Sequence, residues 1–116
     1  MTLKIELRPH EFLQIGNICR LTNGGERAIF AVDGNALILR EKHLLKPADV
    51  IDSVTRLYFI IQQIGLSASL EGDIVEVLLR EPAIETSIPP DTLTRLQSAL
   101  GEKRYYAALT ELRKIM

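Results

Sequence analysis

The chain has 116 residues, of which 47% are hydrophobic and 25% charged, and its formal net charge is −1. This composition excludes an intrinsically disordered chain, and an apolar run such as Leu57–Ile61, five residues long, is far too short to cross a membrane. The charge is uneven, since residues 1–46 carry 7 Lys and Arg against 5 acids and residues 47–116 carry 7 against 10. A weakly basic first half leaves room for a polyanionic partner without requiring one.

The compartment can be predicted from the N-terminal pattern and the cysteine count. Residues 1–8 alternate polar and apolar side chains and carry charge throughout, so we expect no signal peptide. Cys19 is the only cysteine, so an intrachain disulfide is impossible and a reducing cytoplasm is the expected environment.

Five short strands are predicted between residues 3 and 40, because short apolar or alternating segments there are separated by turn-forming residues. The predicted strands are Leu3–Arg8, Phe12–Ile15, Ile18–Thr22, Ala28–Val32 and Ala36–Arg40. The predicted turns are Pro9–Glu11, Gly16–Asn17, Asn23–Gly25 and Asp33–Asn35, and the second and third of these have the chemistry of hairpins. This spacing indicates a five-stranded antiparallel sheet or a small barrel.

A central helix is predicted over Asp52–Ile64, with Asp52 as its N-cap and Gly65 as its stop. Its apolar stripe consists of Val54, Leu57, Tyr58, Ile61 and Ile64. Phe59 and Ile60 lie beside that stripe, so this helix should be covered on two sides, by the rest of the chain or by a second copy.

The remaining residues predict a helical layer of about four helices. Pro47 can open a short helical turn, Ile74–Arg80 fits a helix ended by Pro82, and residues 82–90 read as a loop. Two further helices, residues 91–100 and Glu102–Ile115, form a hairpin at Gly101. The second is expected to bury five apolar side chains: Tyr105, Ala108, Leu109, Leu112 and Ile115. The fold class is therefore α+β, with a β region over 1–46 and a helical region over 47–116 packed together as one domain.

A search for catalytic patterns finds no phosphate loop and no nucleophile motif, so we predict that the protein is not an enzyme and needs no cofactor. A metal site would have to combine Cys19, His10 and His43, only three ligands from scattered segments. We instead expect a buried thiol and two surface imidazoles.

The basic residues of the first half allow two interpretations. They are Lys4, Arg8, Arg20, Arg27, Arg40, Lys42 and Lys46. They can be the ordinary charges of a solvated sheet, or they can form a nucleic-acid surface at adjacent strand ends.

Several stretches together resemble the bacterial flagellum biosynthesis repressor (FlbT) family. The similar segments are Leu3–Gly16, Ile38–Glu41, Thr55–Gln62 and Tyr105–Leu109, the last followed by Arg113. They span nearly the whole chain in the same order as in the family. The chain departs from the family pattern at two turns. His10 stands where the family usually has Gly, and Asp52–Ser53 where it usually has Thr-Pro.

That resemblance implies a cytoplasmic post-transcriptional regulator. Family members associate with the 5′ untranslated leader of flagellin messenger RNA and promote its decay, although some promote flagellin synthesis instead. A second resemblance concerns the sheet alone. Leu3–Asn17 and Ile38–Glu41 are similar to strands of the carbon storage regulator family, small RNA-binding homodimers in which the arginine of the fifth strand contacts RNA.

Two functions remain open at this point. One is an RNA-binding repressor that contacts the flagellin leader through Arg8 and Arg40, with Lys4 and Lys42 on phosphates. If the strands that end at Arg8 and Arg40 are neighbours, within one subunit or between two, the two guanidiniums converge on one edge. The other is an adaptor that binds flagellin or a flagellar regulatory protein through apolar helices. A homodimer is expected with either function, and a membrane partner with neither.

Overall fold

The computed structural model describes residues 2–16, 19–33, 37–67 and 79–116. The chain divides into two compact units, Met1–Leu44 and Leu45–Met116. Strands lie in the first unit and α-helices in the second, so the predicted α+β class is confirmed. That the two regions pack together as one domain stays a prediction.

The first unit contains five strands in two antiparallel sheets. The strands are β1 (Thr2–Leu7), β2 (Phe12–Ile15), β3 (Cys19–Thr22), β4 (Ala28–Asp33) and β5 (Ile38–Arg40). One sheet has two strands, β1 and β4, and the other has three, in the order β3, β2, β5. The five predicted strands are therefore confirmed, but they form two separate sheets instead of a single sheet or a barrel.

The two predicted hairpin turns have different outcomes. β2 and β3 form a hairpin that begins at Gly16, whose φ of 57° lies in the left-handed region that glycine tolerates best. The hairpin predicted at Asn23–Gly25 is wrong, because β3 pairs with β2 whereas β4 pairs with β1. At that point the chain crosses from the three-stranded sheet to the two-stranded one.

The pleat of the strands places one apolar cluster between the two sheets. Ile5, Leu7 and Leu13 are buried at its centre, with four half-buried side chains packed around them: Ile15, Leu21, Phe30 and Ile38. Since alternate residues of a strand face opposite sides, Lys4 and Glu6 face away from this cluster.

The second unit is helical. The helices among its described residues are α1 (Ser53–Ser67), α2 (Pro82–Ser87), α3 (Pro90–Gly101) and α4 (Tyr105–Arg113). Short 3-10 turns cover Glu41–His43 in the first unit and Pro47–Asp49 in the second, the latter where Pro47 was expected to open one. α1 packs against α2 and α4, and α3 packs against α4. Among the described helices, none has the length and apolar character needed to cross a bilayer.

The predicted core of α1 is confirmed. Four of the five stripe residues expose at most 1% of their surface: Leu57, Tyr58, Ile61 and Ile64. Val54 is half-buried. The Asp52 cap is also present. The Thr55 amide donates to Oδ1 of Asp52 at 2.8 Å, and the Thr55 hydroxyl accepts the Asp52 amide at 3.0 Å. This reciprocal arrangement satisfies orphan amides at the start of the helix.

Two predictions about the helices are wrong. α1 continues through Gly65 to Ser67, because half-buried Leu66 extends the packed face and a single helical glycine costs only about 1 kcal/mol. The loop predicted over residues 82–90 is also wrong, because Pro82 opens α2, where its missing amide hydrogen costs nothing. The predicted helix Ile74–Arg80 lies outside the described residues except for its last two.

The C-terminal hairpin also differs in detail from the prediction. α3 includes Gly101, and the left-handed residue that reverses the chain is Lys103, with φ of 59°. α4 therefore begins only at Tyr105. It buries Ala108, Leu109 and Leu112, whereas Tyr105 and Ile115 are half-buried instead of buried.

Candidate nucleic-acid interface

The turn after β1 presents Arg8 to solvent and fixes its backbone. The Arg8 amide donates to Oε1 of Glu11 at 2.8 Å, and the Glu11 amide donates to the Arg8 carbonyl at 3.2 Å. The Glu11 carboxylate is therefore engaged with the backbone of Arg8 and not with its guanidinium. Arg8 itself is exposed.

This turn requires an unusual backbone at His10, whose φ is 67°. Only glycine adopts that region freely, and in other residues it costs roughly 1–2 kcal/mol, although His is among the side chains found there more often. The His10 amide donates to the Asn23 carbonyl at 2.6 Å, which offsets part of this cost. A glycine at this position, as the resembling family usually has, would adopt the same turn without strain.

The Asn23 side chain ties the Arg8 turn to the crossover between the sheets. Its amide nitrogen lies within hydrogen-bonding distance of the carbonyls of Leu7 (3.1 Å), Arg8 (3.3 Å) and Glu26 (2.9 Å), and its oxygen accepts the Gly25 amide at 3.1 Å. It is 7% exposed. Sequence reasoning treated Asn23 only as a turn former, and its spacing gave no sign of these contacts.

Arg40 and Lys42 lie at the same end of the three-stranded sheet as the Arg8 turn. Arg40 is the last residue of β5, stands opposite Leu13 in the register, and is half-buried. Lys42 follows in the exposed 3-10 turn. Because Arg8 is joined through Glu11 to the start of β2, the three cations share the end of the sheet at which β2 begins, here called the basic end (Arg8, Arg40 and Lys42).

Lys4, the fourth predicted site residue, is not brought to the basic end. It lies within β1, opposite Ala31, on the outward face of the two-stranded sheet, and is exposed. β1, which ends just before Arg8, and β5, which ends at Arg40, also belong to different sheets. The two strands are therefore not neighbours within one chain, and Arg8 and Arg40 share only the end of the sheet at which β2 begins.

The charges of these residues are not neutralised locally. Glu6 pairs with Arg27, and Glu11 accepts the backbone amide of Arg8. Within the described parts of the chain, the side chains of the four predicted site residues form no ion pair with a carboxylate. Their cationic groups are thus available to an external anion.

One cation that the predictions did not single out has an aromatic neighbour. The Cζ atom of Arg20 lies 3.9 Å from the centre of the Phe12 ring. The hairpin register could have suggested this contact, because a Gly16 turn places residues 12 and 20 diagonally across from each other on one face.

The predicted metal candidates are scattered. Over the ranges that the structure describes, no group of three or more His, Cys, Asp or Glu side chains could hold a metal ion. The expected burial of Cys19 is wrong, since it is exposed at the start of β3, where the strand lies at the edge of its sheet. His10 is exposed and His43 half-buried.

Comparison with known proteins gives one family over nearly the whole chain. The model of the family described as "Flagellar protein FlbT" matches residues 3–116. The chain is 32% identical over 123 aligned residues to the "Probable flagellum biosynthesis repressor protein FlbT" of Rhodopseudomonas palustris, strains TIE-1 and CGA009, covering 100% of this chain and 93% of the relative. It is 29% identical to the "Probable flagellum biosynthesis repressor protein FlbT 1" of Bradyrhizobium diazoefficiens, covering 100% and 81%. No solved structure matches the chain.

Proposed function

The chain belongs to the FlbT family of flagellar proteins, and from this membership we propose that it represses flagellum biosynthesis by acting on flagellin messenger RNA. It binds the 5′ untranslated leader of that message in the cytoplasm and promotes its degradation. The relatives named as repressors support the flagellar role. The RNA contact rests on the chemistry of the basic end.

One observation carries the RNA contact: two arginines without a carboxylate partner among the described residues lie at the same end of one small sheet. A guanidinium has a planar fork of donors that can hold a phosphate bidentately or stack on a base. Single-stranded loops are the expected target, since the deep groove of duplex RNA hides its bases. Lys42 adds a phosphate contact at the basic end. Lys4 adds another where the RNA strand continues across the outer face of the two-stranded sheet.

The test is a titration of the purified protein with flagellin leader RNA at two salt concentrations. Phosphate contacts release counterions, so the logarithm of the affinity should fall linearly with that of the salt concentration, by about 0.7 for each contact on a single strand. A protein that binds purified flagellin, with little dependence on salt, and does not bind the RNA would instead be the adaptor, and the proposal would be wrong.

The residues are tested with Arg8→Ala and Arg40→Ala, and Arg56→Ala on α1 is the control because it removes one arginine charge outside the basic end. Each site variant should bind the leader more weakly and lower the salt dependence by about 0.7. The control should match the parent. If both site variants fold and bind like the parent, the surface is wrong, and the next candidates are the C-terminal basic residues Lys103, Arg104, Arg113 and Lys114.

The regulatory step has its own readout. In cells that lack the protein, the half-life of flagellin message should lengthen, and the parent gene should restore it while the Arg8→Ala, Arg40→Ala double variant should not. A shorter half-life in the deletion strain would reverse the sign of the proposed regulation.

A further inference from the structure

The outer face of the β2–β3 hairpin carries a contact that the proposed function does not use. Phe12 opens β2 and stands opposite Thr22, while Arg20 stands opposite Gln14. The Arg20 side chain therefore reaches diagonally across the hairpin to place Cζ 3.9 Å from the Phe12 ring centre. This is van der Waals contact, the distance at which a cation and a ring attract each other.

The pleat assigns this contact to one side of the sheet. Leu13 and Leu21, which alternate with Phe12 and Arg20, belong to the apolar cluster between the two sheets. The Phe12–Arg20 pair consequently faces the other way. Phe12 is half-buried, whereas Arg20 is exposed, so the ring contacts the guanidinium while the Arg20 side chain stays accessible to solvent.

The electrostatics of this hairpin favour an anionic ligand. Neither β2 nor β3 contains an acidic residue. Arg20 forms no ion pair with any residue in the described part of the chain. Its charge is thus held next to an aromatic ring, on two strands that carry no carboxylate to neutralise it.

We propose that the Arg20 guanidinium, supported by the Phe12 ring, is a stacking platform for one unpaired base of an RNA strand. This inference rests on the proposed function and adds a base contact to the phosphate contacts of the basic end. Arginine planes stack on unpaired bases in RNA-binding proteins, and an aromatic ring beneath the guanidinium restrains it before the RNA arrives. The arginine side chain has then already lost part of its conformational entropy in the free protein, so ordering it on binding costs less.

The position of the platform suits a strand that also meets Arg8. Phe12 directly follows Glu11, whose carboxylate and amide close the Arg8 turn. A strand whose phosphate contacts Arg8 therefore meets the end of the hairpin that carries Phe12, and we expect a neighbouring base to stack on Arg20. The polar side chains of Gln14 and Thr22, on the same face as the platform, are suited to hydrogen bonds with the edge of that base.

The decisive variant is Arg20→Lys, which keeps the charge and removes the planar stacking surface. We expect it to weaken binding of the flagellin leader roughly tenfold while leaving the salt dependence unchanged. Arg56→Lys on α1 is the matched control and should bind like the parent. Phe12→Leu, which keeps an apolar side chain and removes the ring, should weaken binding in the same direction, and circular dichroism should confirm that each variant is folded.

A scan of leader oligonucleotides with single abasic positions identifies the stacked base. At one position, loss of the base should weaken binding to the parent and leave binding to Arg20→Lys unchanged, because the stack is already missing there. Equal sensitivity of parent and variant at every position would overturn the platform.

The outcomes separate the two proposals. If the parent binds the leader and Arg20→Lys binds equally well, the platform is wrong and the proposed function stands. If Arg20→Lys keeps its RNA affinity but binds purified flagellin more weakly, the hairpin docks a protein and the platform is again wrong. If the parent binds no leader RNA at any salt concentration, both proposals fall together.

Discussion

The guanidinium of Arg113 donates a hydrogen bond to the phenolic oxygen of Tyr58, with 3.1 Å between the two atoms. Tyr58 is fully buried on α1, and Arg113 is the last residue of α4. Burial raises the pKa of the Tyr58 phenol, and the hydrogen bond from Arg113 opposes that shift by favouring the phenolate. The bond therefore joins the two helices at the polar tip of a buried ring.

Replacing Tyr58 by Phe keeps the ring and removes the acceptor, so the free energy of unfolding should fall by about 1 kcal/mol near neutral pH. Because the pKa of Tyr58 is raised, the stability of the protein should also depend on pH in the alkaline range. The folded protein keeps the phenolic proton to higher pH than the unfolded chain, so this contribution is complete below an unfolded pKa of about 10 and is lost as pH rises through the folded value.

Urea unfolding at a series of alkaline pH values measures this effect. The parent should lose stability faster than Tyr58→Phe above about pH 10, since only the parent has this phenol to ionise. Parallel losses in the two proteins would show that the Tyr58 phenol does not have a raised pKa.

The apolar face of α1 should dominate the stability of the helical unit. Leu57 and Ile61 are both 0% exposed, so Leu57→Ala or Ile61→Ala should each lower the free energy of unfolding by about 2–5 kcal/mol. Arg56→Ala, at an exposed position of the same helix, should change it by less than about 1 kcal/mol. Chemical denaturation gives the three values, and losses below about 1 kcal/mol at both buried sites would show that α1 is peripheral.

The Asp52 cap of α1 should contribute to the free energy of unfolding in a way that depends on acidic pH. The Thr55 amide bonded to Asp52 is the main reason why the pKa of this carboxyl lies below its usual value. The contribution is therefore present above an unfolded pKa of about 4 and is lost as pH falls through the lowered folded value.

Asp52→Ala should cost about 1 kcal/mol at neutral pH, while Asp52→Asn should cost less because an amide oxygen can still accept the Thr55 amide. Thermal unfolding of the three proteins at neutral pH and near pH 3 is the measurement. The difference between parent and Asp52→Ala should narrow in acid, and a constant difference would mean that the charge of Asp52 does not contribute.

Self-association stays a prediction. Phe59 and Ile60 are half-buried beside the core stripe of α1, and nearby Ile51 is 82% exposed. We expect light scattering at micromolar concentration to give the mass of a dimer, and Ile60→Glu to lower it towards that of a monomer. A monomeric mass for the parent would instead mean that this surface needs no second copy.

The sequence by itself determined the local structure. Period-two alternation marked the strands, the 3.6-residue period marked the buried stripe of α1, and Asp52 marked its start, because each of these depends on residues only a few positions apart. Arg8 and Arg40 could likewise be placed at strand ends. The predicted stop at Gly65 is wrong because a glycine permits a helix to end but does not require it to, and the apolar face of α1 continues past it.

Only the tertiary structure decided which strands pair and which polar groups are buried. The pattern of β1 shows which residues face a core, but it does not show that β4, more than twenty residues away, is the partner. Gln62 is polar and does not belong to the predicted apolar stripe of α1, yet it is 1% exposed because its amide exchanges two hydrogen bonds with the backbone of Leu45. Asn23, whose amide reaches the carbonyls of Leu7 and Arg8, follows the same rule. The periodicity of a helix or strand predicts which side of the element a side chain faces. It does not predict the side chain's partner when that partner lies in a distant part of the chain.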